Sequence, residues 1–457
     1  MRLFNRSHSC PPPIPFVGQL FQFRRDPISF LMKLARTYGD CVPFTLGPQP
    51  ILFLNHPDYF NQVLVVDHRN FVKAPGMERA KGLLGEGLLT SEGDLHHRQR
   101  RLAQPAFHRQ RLGTYGSVMT EYARRMREEW HNGQTVDIAQ EMMRLTLSVV
   151  AKTLLGADVE GEVDAIGEAL SVSIQHFFHI RLPFVSMLEK LLPPLFPTSG
   201  EQFAHARTRL ETIVFRIIAE HRACGEDRGD LLSMLMLAKE TEGDGGSMTD
   251  TQLRDEAMSI LLAGHETTAT ALTWTWYLIS RHPDVETTWH AELTRVLQGR
   301  PPTVKDLSQL PYTEMLLAES MRLYPPVWLI GRRALKSYTI DPETLPQNGL
   351  ILMSPYVIHH DARYFPEPEV FDPTRWTPEA KAARPKLAYC PFGAGPRQCI
   401  GEGFAWMEGM LLLATLAQRW RMRLTPGHQV RLQPLVTLRA KGGIPMILEE
   451  RRSASSS

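Results

Sequence analysis

Apolar and polar residues change their spacing several times along this chain, and each change predicts a different element. Pro11-Pro12-Pro13 with Pro15 set an extended Pro-rich segment over about residues 1–20, since neither proline nor the residue before it suits a helix interior. Two short runs follow, 41–46 and 50–54, rich in Val, Phe, Ile and Leu and broken by Gly47-Pro48; both predict β-strands. From about residue 94 the apolar spacing becomes three to four. Segments 94–110, 114–130, 135–156, 160–179 and 200–223 are predicted helices, separated by Gly, Pro or Asp. The longest helix opens on the capping box Thr249-x-x-Gln252 and keeps its apolar spacing through Met258, Leu261, Leu262, Ala271 and Leu278 as far as Pro283. At 1.5 Å per residue, its roughly 30 residues span about 45 Å, enough to cross a whole domain. A further helix, 312–323, stops at Pro325-Pro326; an irregular Pro-rich stretch then runs to Cys399, and an apolar helix follows from Phe404 to Trp420. The fold class is mainly α with small β-sheets.

Composition narrows this picture. A length of 457 residues suggests about three domains on size alone. Apolar residues make up 43% and charged residues 22%, however, and no repeat or low-complexity segment marks a linker, so one domain over 1–457 is expected, with a disordered tail at 452–457. The net charge of +2 is interleaved rather than blocked, which gives no reason to expect nucleic acid. The N-terminus carries neither a bilayer-length apolar run nor a signal-peptide core, so no transmembrane anchor and a cytoplasmic location are expected. Five cysteines (Cys10, Cys41, Cys224, Cys390 and Cys399) form no Cys-x-x-Cys pair, and their odd number and irregular spacing suit neither a disulfide framework nor a zinc ribbon.

One cysteine stands apart. Residues 390–401 read CPFGAGPRQCIG and contain Phe392-x-x-Gly395-x-Arg397-x-Cys399-x-Gly401. Glycines allow a tight turn whose amides can face sulfur, Arg397 adds positive charge, and a helix begins just beyond; together these favour a thiolate able to hold a soft metal centre. In the longest helix, Ala263-Gly264-His265-Glu266-Thr267-Thr268 places an acid and a hydroxyl mid-helix, which is locally unfavourable unless the pair has a task. His265-Glu266 does not continue into a zinc-protease motif, because position 269 is Ala269.

The Cys399 run resembles, without a mismatch, the haem-binding signature of the cytochrome P-450 superfamily. The resemblance implies a triangular helical prism, with haem b (iron protoporphyrin IX) between the long central helix and the helix after the ligating cysteine. Cys399 would be the iron ligand, with Phe392, Gly395 and Arg397 forming the loop around it. Ala263 and Gly264 would let the long helix approach the flat cofactor, and Glu266 and Thr267 would relay protons for oxygen activation. Glu319-x-x-Arg322 and Phe371-x-Pro373-x-Arg375-Trp376 are similar to the family's structural Glu-Arg-Arg network, so Glu319, Arg322 and Arg375 would brace the irregular segment behind the haem. His96, Arg100 and Arg332 would join Arg397 in binding the haem carboxylates; many relatives have tryptophan in place of His96.

By the same resemblance the substrate pocket is lined by the loop before His96 (about 74–89), by Leu262, Ala263, Val327, Trp328, Leu329, Leu435 and Val436, and by the rest of the turn to Leu438, while 176–197 falls at the mobile lid. This apolar lining favours a hydrophobic small molecule. A terpenoid is preferred over a fatty acid or polyketide-like scaffold because no carboxylate anchor is evident. The implied reaction inserts one atom of O2 into a C–H bond, with electrons from a ferredoxin or flavodoxin and its NAD(P)H-dependent reductase, since the chain after Gly443 leaves no room for a flavin domain; a monomer is expected. Two other readings are a peroxide-driven or isomerising haem-thiolate enzyme, against which the retained Glu266-Thr267 pair argues, and a haem-binding sensor without turnover.

Overall fold

The predicted helical periodicity folds as helices nearly throughout. The structure is a computed structural model of the chain and describes residues 12, 14–178, 199–238, 248–340 and 343–451. The expected tail at 452–457 and most of the expected lid at 176–197 lie outside the described residues. Six helices build the site: α1 (Gly93–Ala103), α2 (Arg109–Glu129), α3 (Ile138–Leu154), α4 (Asp250–Arg281), α5 (Pro311–Leu323) and α6 (Glu402–Ala417).

Helix α4 has 32 residues and starts at the predicted capping box, where Gln252 N donates to Thr249 Oγ1 at 3.3 Å and Thr249 N donates to Gln252 Oε1 at 2.9 Å. It runs through the middle of the largest core cluster, against α3, and is buried from Leu253 to Trp276 with four exceptions. Those are Leu262, Ala263, Gly264 and Thr267, so a single window opens halfway along an otherwise covered helix. Helix α6 is apolar on nearly every side, as a helix sealed inside a core must be.

The principal sheet has five strands, β1 (Cys41–Leu46), β2 (Gln49–Leu54), β3 (Phe71–Lys73), β4 (Ile330–Ala334) and β5 (Leu350–Met353), in the order β1-β2-β5-β4-β3. Antiparallel pairing of β3 with β4 sets Lys73 opposite Arg332. A hairpin of β6 (Leu432–Pro434) and β7 (Leu438–Ala440) carries the turn 435–437.

Three expectations are corrected. The stretch from 325 to Cys399 is not irregular throughout, since it holds β4, β5, a small hairpin and several short helices. The last apolar helix ends at Ala417, and Trp420 begins the strand Trp420–Leu424. Helices Pro27–Tyr38, Pro75–Leu84 and Pro283–Leu297 were not anticipated, and each begins with proline at its first position, where the missing N–H has no intrahelical acceptor to lose. Pro283 both stops one helix and starts the next.

Candidate active site

The loop before α6 is set by backbone bonds and by one close approach. Gly395 sits at φ +69°, and a Cβ there would lie 2.0 Å from Leu64 O, so this glycine serves packing of the loop against the segment Gln62–Val66. Gln398 N donates to Gly395 O at 2.9 Å and Cys399 N to Phe392 O at 3.0 Å, which close the turn just ahead of α6. Phe392 packs on Trp406, with ring centroids 6.0 Å apart. Cys399 is an exposed residue three positions before the start of α6.

The electrostatics of the sulfur differ from expectation. Arg397 does not face it: its Nη1 donates to Ser91 O at 2.8 Å and its Nη2 pairs with Glu92. Desolvation by the surrounding loop pushes the Cys399 thiol above its ordinary value, while the Gly401 backbone amide and the charge of Arg100 pull it down. Without a metal the thiolate is therefore not favoured by the protein alone; bonding to a cationic metal deprotonates a thiol outright.

Behind the loop, Glu319 and Arg322 on α5 are both fully buried. Arg322 donates to Glu319 at 2.8 and 2.9 Å, and to the carbonyls of His359, Pro368 and Val370 at 3.0, 2.7 and 3.0 Å. Glu319 also accepts from Asp372 N at 3.0 Å and from Trp376 Nε1 at 2.8 Å, with Arg375 Nε at 3.5 Å. Beyond their own ion pair, the contacts of these two side chains thus tie the segment from 359 to 376 to α5. His359 extends the brace to the loop, its Nε2 accepting from Cys390 N at 3.0 Å. No sequence signal pointed to His359; Trp376 lies inside the quoted motif.

On the flank, cations gather with little to neutralise them. Lys73 from β3, Arg332 from β4, Arg100 from α1 and Arg397 act on one another, and Glu92 is the acid among them, accepting from Lys73 N at 2.7 Å and pairing with Arg397. Burial, then the charge of Arg397, lowers Lys73 to about 7 and Arg332 to about 10. Burial followed by the same cations holds His96 at about 3, so His96 is a neutral hydrogen-bonding group here rather than a second charge. Arg100 Nη1 donates to Gln398 O at 2.7 Å, which joins α1 to the residue before Cys399. Lys73 was missed in the sequence; its signal lay in the strand pairing, not in a motif.

At the window in α4 the two candidate relay residues point different ways. Thr267 is half-buried at the opening and its Oγ1 donates to Ala263 O at 2.8 Å, one turn back. Glu266 is buried and turned to the β6–β7 hairpin, where its Oε1 accepts from Thr437 Oγ1 at 2.5 Å and pairs with Arg439 Nη2 at 2.7 Å. Ala263 is exposed in the window, but the space a Gly264 side chain would need is filled by Val150 of α3, 3.0 Å from an added Cβ, so Gly264 serves helix packing. Leu262, Val327, Leu329, Leu435 and Val436 are half-buried; Leu262 packs against the largest core cluster and Leu329 against the core of the principal sheet. Trp328 is not: it packs in the core with Phe53 and Leu352, and its Nε1 donates to Leu435 O at 2.9 Å. A further carboxyl, unremarked in the sequence, is sealed between α6 and α4. This is Glu408, raised to about 8 by burial with the Thr268 hydroxyl beside it.

Comparisons with known proteins bear directly on this arrangement. The family model described as Cytochrome P450 matches residues 9–443. The chain belongs to the cytochrome P450 family. It is 39% identical to cyclooctatin synthase of Streptomyces melanosporofaciens over 97% of this chain and 95% of that one, and 36% identical, over the same shares, to cyclooctat-9-en-7-ol 5-monooxygenase of the same organism. Pentalenene oxygenase of Streptomyces avermitilis is 33% identical over 94% of each chain. Among solved structures, a cytochrome P450DA heme domain superposes with a TM-score of 0.86 at 26% identity, covering 97% of this chain and 98% of that one.

This P450 is a haem-dependent monooxygenase that uses dioxygen and a redox partner. Its own residues fit the cofactor. Cys399 stands at the turn that leads into α6, α4 opens a window halfway along its length, and Lys73, Arg100, Arg332 and Arg397 outnumber the carboxylates that act on them, an imbalance suited to a planar ligand bearing two carboxylates. Among the described residues no helix is long and apolar enough to cross a membrane.

Proposed function

We propose that this P450 hydroxylates a terpenoid, with Cys399 as the iron ligand and electrons delivered by a ferredoxin or flavodoxin. The observation that carries the substrate class is the agreement between an uncharged window and the relatives. Leu262, Ala263, Val327, Leu329, Leu435 and Val436 offer hydrocarbon contact, the Glu266 carboxylate is taken up by Thr437 and Arg439, and the relatives bear the terpenoid names cyclooctat-9-en-7-ol and pentalenene. Such a surface holds an apolar skeleton by burial, at about 25 cal/mol per Å² removed from water.

Bound haem supplies the activation of dioxygen; the protein's residues place it and manage protons. Cys399 would ligate the haem iron, Arg100, Arg332, Arg397 and Lys73 would bind the haem carboxylates, and His96 would add a neutral donor. The brace of Glu319, Arg322 and Arg375 holds the segment behind the Cys399 loop. Thr267, in the window, would orient a proton donor once it gives up its bond to Ala263 O, and Glu266 would supply the proton.

Two measurements test this. Titration with polycyclic terpenoids should displace the iron's water and shift the Soret band at lower concentration than fatty acids of equal carbon number; the reverse order would remove the terpenoid assignment. The Thr267→Ala variant should keep haem and substrate binding but divert reducing equivalents to hydrogen peroxide, and unchanged coupling would take Thr267 out of the mechanism.

A further inference from the structure

The β6–β7 turn has two faces with different business. Leu435 and Val436 are half-buried and stand in the substrate lining proposed above; the next residue, Thr437, is buried and holds Glu266 by its hydroxyl, and Arg439 two positions on completes the grip through Nε at 2.8 Å and Nη2 at 2.7 Å. The turn is anchored on both sides of this contact. Trp328 Nε1 donates to Leu435 O at 2.9 Å, Trp274 Nε1 to Leu438 O at 2.7 Å, and Leu438 N to Pro326 O at 2.9 Å. Between these anchors Thr437 O accepts from Leu435 N and Arg439 N at 3.1 Å each, so Val436 is the residue of the turn that these bonds leave out. The grip is also directional: Glu266 is 1% exposed and pulled to the hairpin, whereas Thr267, one residue on and so about 100° around the helix, faces the window.

We infer that Thr437 and Arg439 are positioning residues that hold Glu266 away from the window until a substrate pressing on Leu435 and Val436 moves the turn and loosens that hold. This rests on the reading that Glu266 supplies protons. The chemistry makes such a hold useful. With substrate, one O2, two electrons and two protons give one hydroxylated product and one water; without it, the same electrons and protons reduce O2 to hydrogen peroxide. Keeping the acid from the window in the empty enzyme restrains the second course, and buried charged contacts of this kind are strong enough to do so.

The test uses holoenzyme with a redox partner, and reads NAD(P)H consumption, hydrogen peroxide and product with and without a bound terpenoid. Arg439→Gln should raise substrate-free peroxide formation severalfold and lower coupling, Arg439→Lys should restore most of the loss, and Thr437→Val should shift both quantities the same way by less. In a Glu266→Gln background, Arg439→Gln should add nothing, because it acts through the acid. Should the Arg439 variants fail to bind haem, Thr437→Val, which removes one hydroxyl at constant volume, carries the test. An Arg439→Gln effect of the same factor with and without Glu266 would show that Arg439 only props the hairpin, and would overturn the inference while leaving the proton reading intact. If Glu266→Gln itself left coupling and the solvent isotope effect unchanged, the proton reading would fall and this inference with it.

Discussion

The two sides of the site are built by opposite strategies. On the cysteine side, polar groups are satisfied by neighbours that a short motif encodes: Glu319 and Arg322 lie three residues apart on α5, and the turn at Cys399 closes on Gly395 and Phe392. On the α4 side, the acid of the local Glu266-Thr267 pair is satisfied from 171 and 173 residues away, by Thr437 and Arg439. The first side is a rigid mount with no group left to move. The second holds its acid through a distant hairpin, so the placement of Glu266 depends on tertiary contacts and not on a local motif.

The sharpest way to break this comparison is at Arg322. Its side chain is fully buried and makes contacts to Glu319 and three carbonyls, so Arg322→Met leaves the Glu319 carboxylate facing only the donors of Asp372, Trp376 and Arg375. Removing one partner of a buried pair typically costs about 3–5 kcal/mol. Denaturant unfolding of the variant should show a loss of this size together with poor haem retention. A loss under about 1 kcal/mol, the scale of a solvent-exposed pair, would mean that the mount is not what holds the cysteine side together.

Glu408 sharpens the comparison from inside, because it joins the two sides between α6 and α4. Burial raises its carboxyl from an ordinary 4.5 to about 8, so it favours the protonated form in the folded protein. The sign follows from linkage: its contribution to stability is fully present below pH 4.5 and is lost as pH rises through about 8. Glu408→Gln, neutral at every pH, should abolish this part of the decline, gaining on the order of a few kcal/mol over the parent at pH 9 relative to pH 5. Thermal unfolding across that range measures it, and parallel profiles would show that the carboxyl is not desolvated.

The same contrast explains what the sequence could reveal. Helix positions were legible because three-to-four spacing and caps such as Thr249-Gln252 are local, and the Glu319-Arg322 pair and the tight turn at Cys399 were legible because each lies within a short pattern. What escaped depends on distant chain. Lys73 enters the cation cluster only through its register with Arg332, Gly395 is required by Leu64 O, and Gly264 by Val150 of α3. Trp328 is apolar and in the right turn for a pocket, yet its indole N–H is drawn to Leu435 O and its ring into the sheet core. Helices that begin at proline were missed because proline was read as a stop. Arg397 was assigned to the sulfur from its spacing, whereas the acid that claims it, Glu92, is 305 residues away.

Arg375 gives the smallest effect and the finest discrimination. Sequence resemblance treats Glu319, Arg322 and Arg375 as three equal members of one network, but the structure ranks them. Arg375 Nε stands 3.5 Å from Glu319, against 2.8 Å for Arg322, and its side chain keeps 12% exposure where Arg322 has none. Without Arg375, Glu319 still accepts from Arg322 twice, from Asp372 N and from Trp376 Nε1, so its charge is not orphaned; the other loss is the bond from Arg375 Nη2 to Glu367 O at 3.0 Å. One hydrogen bond and a longer ion pair amount to about 1–2 kcal/mol. Arg375→Gln should therefore fold, bind haem and show an unchanged carbonyl spectrum, with only a modest fall in unfolding midpoint. If it instead matched Arg322→Met, the mount would depend on charge balance around Glu319 rather than on the carbonyls that Arg322 alone collects, and the motif's apparent equality would be physical after all.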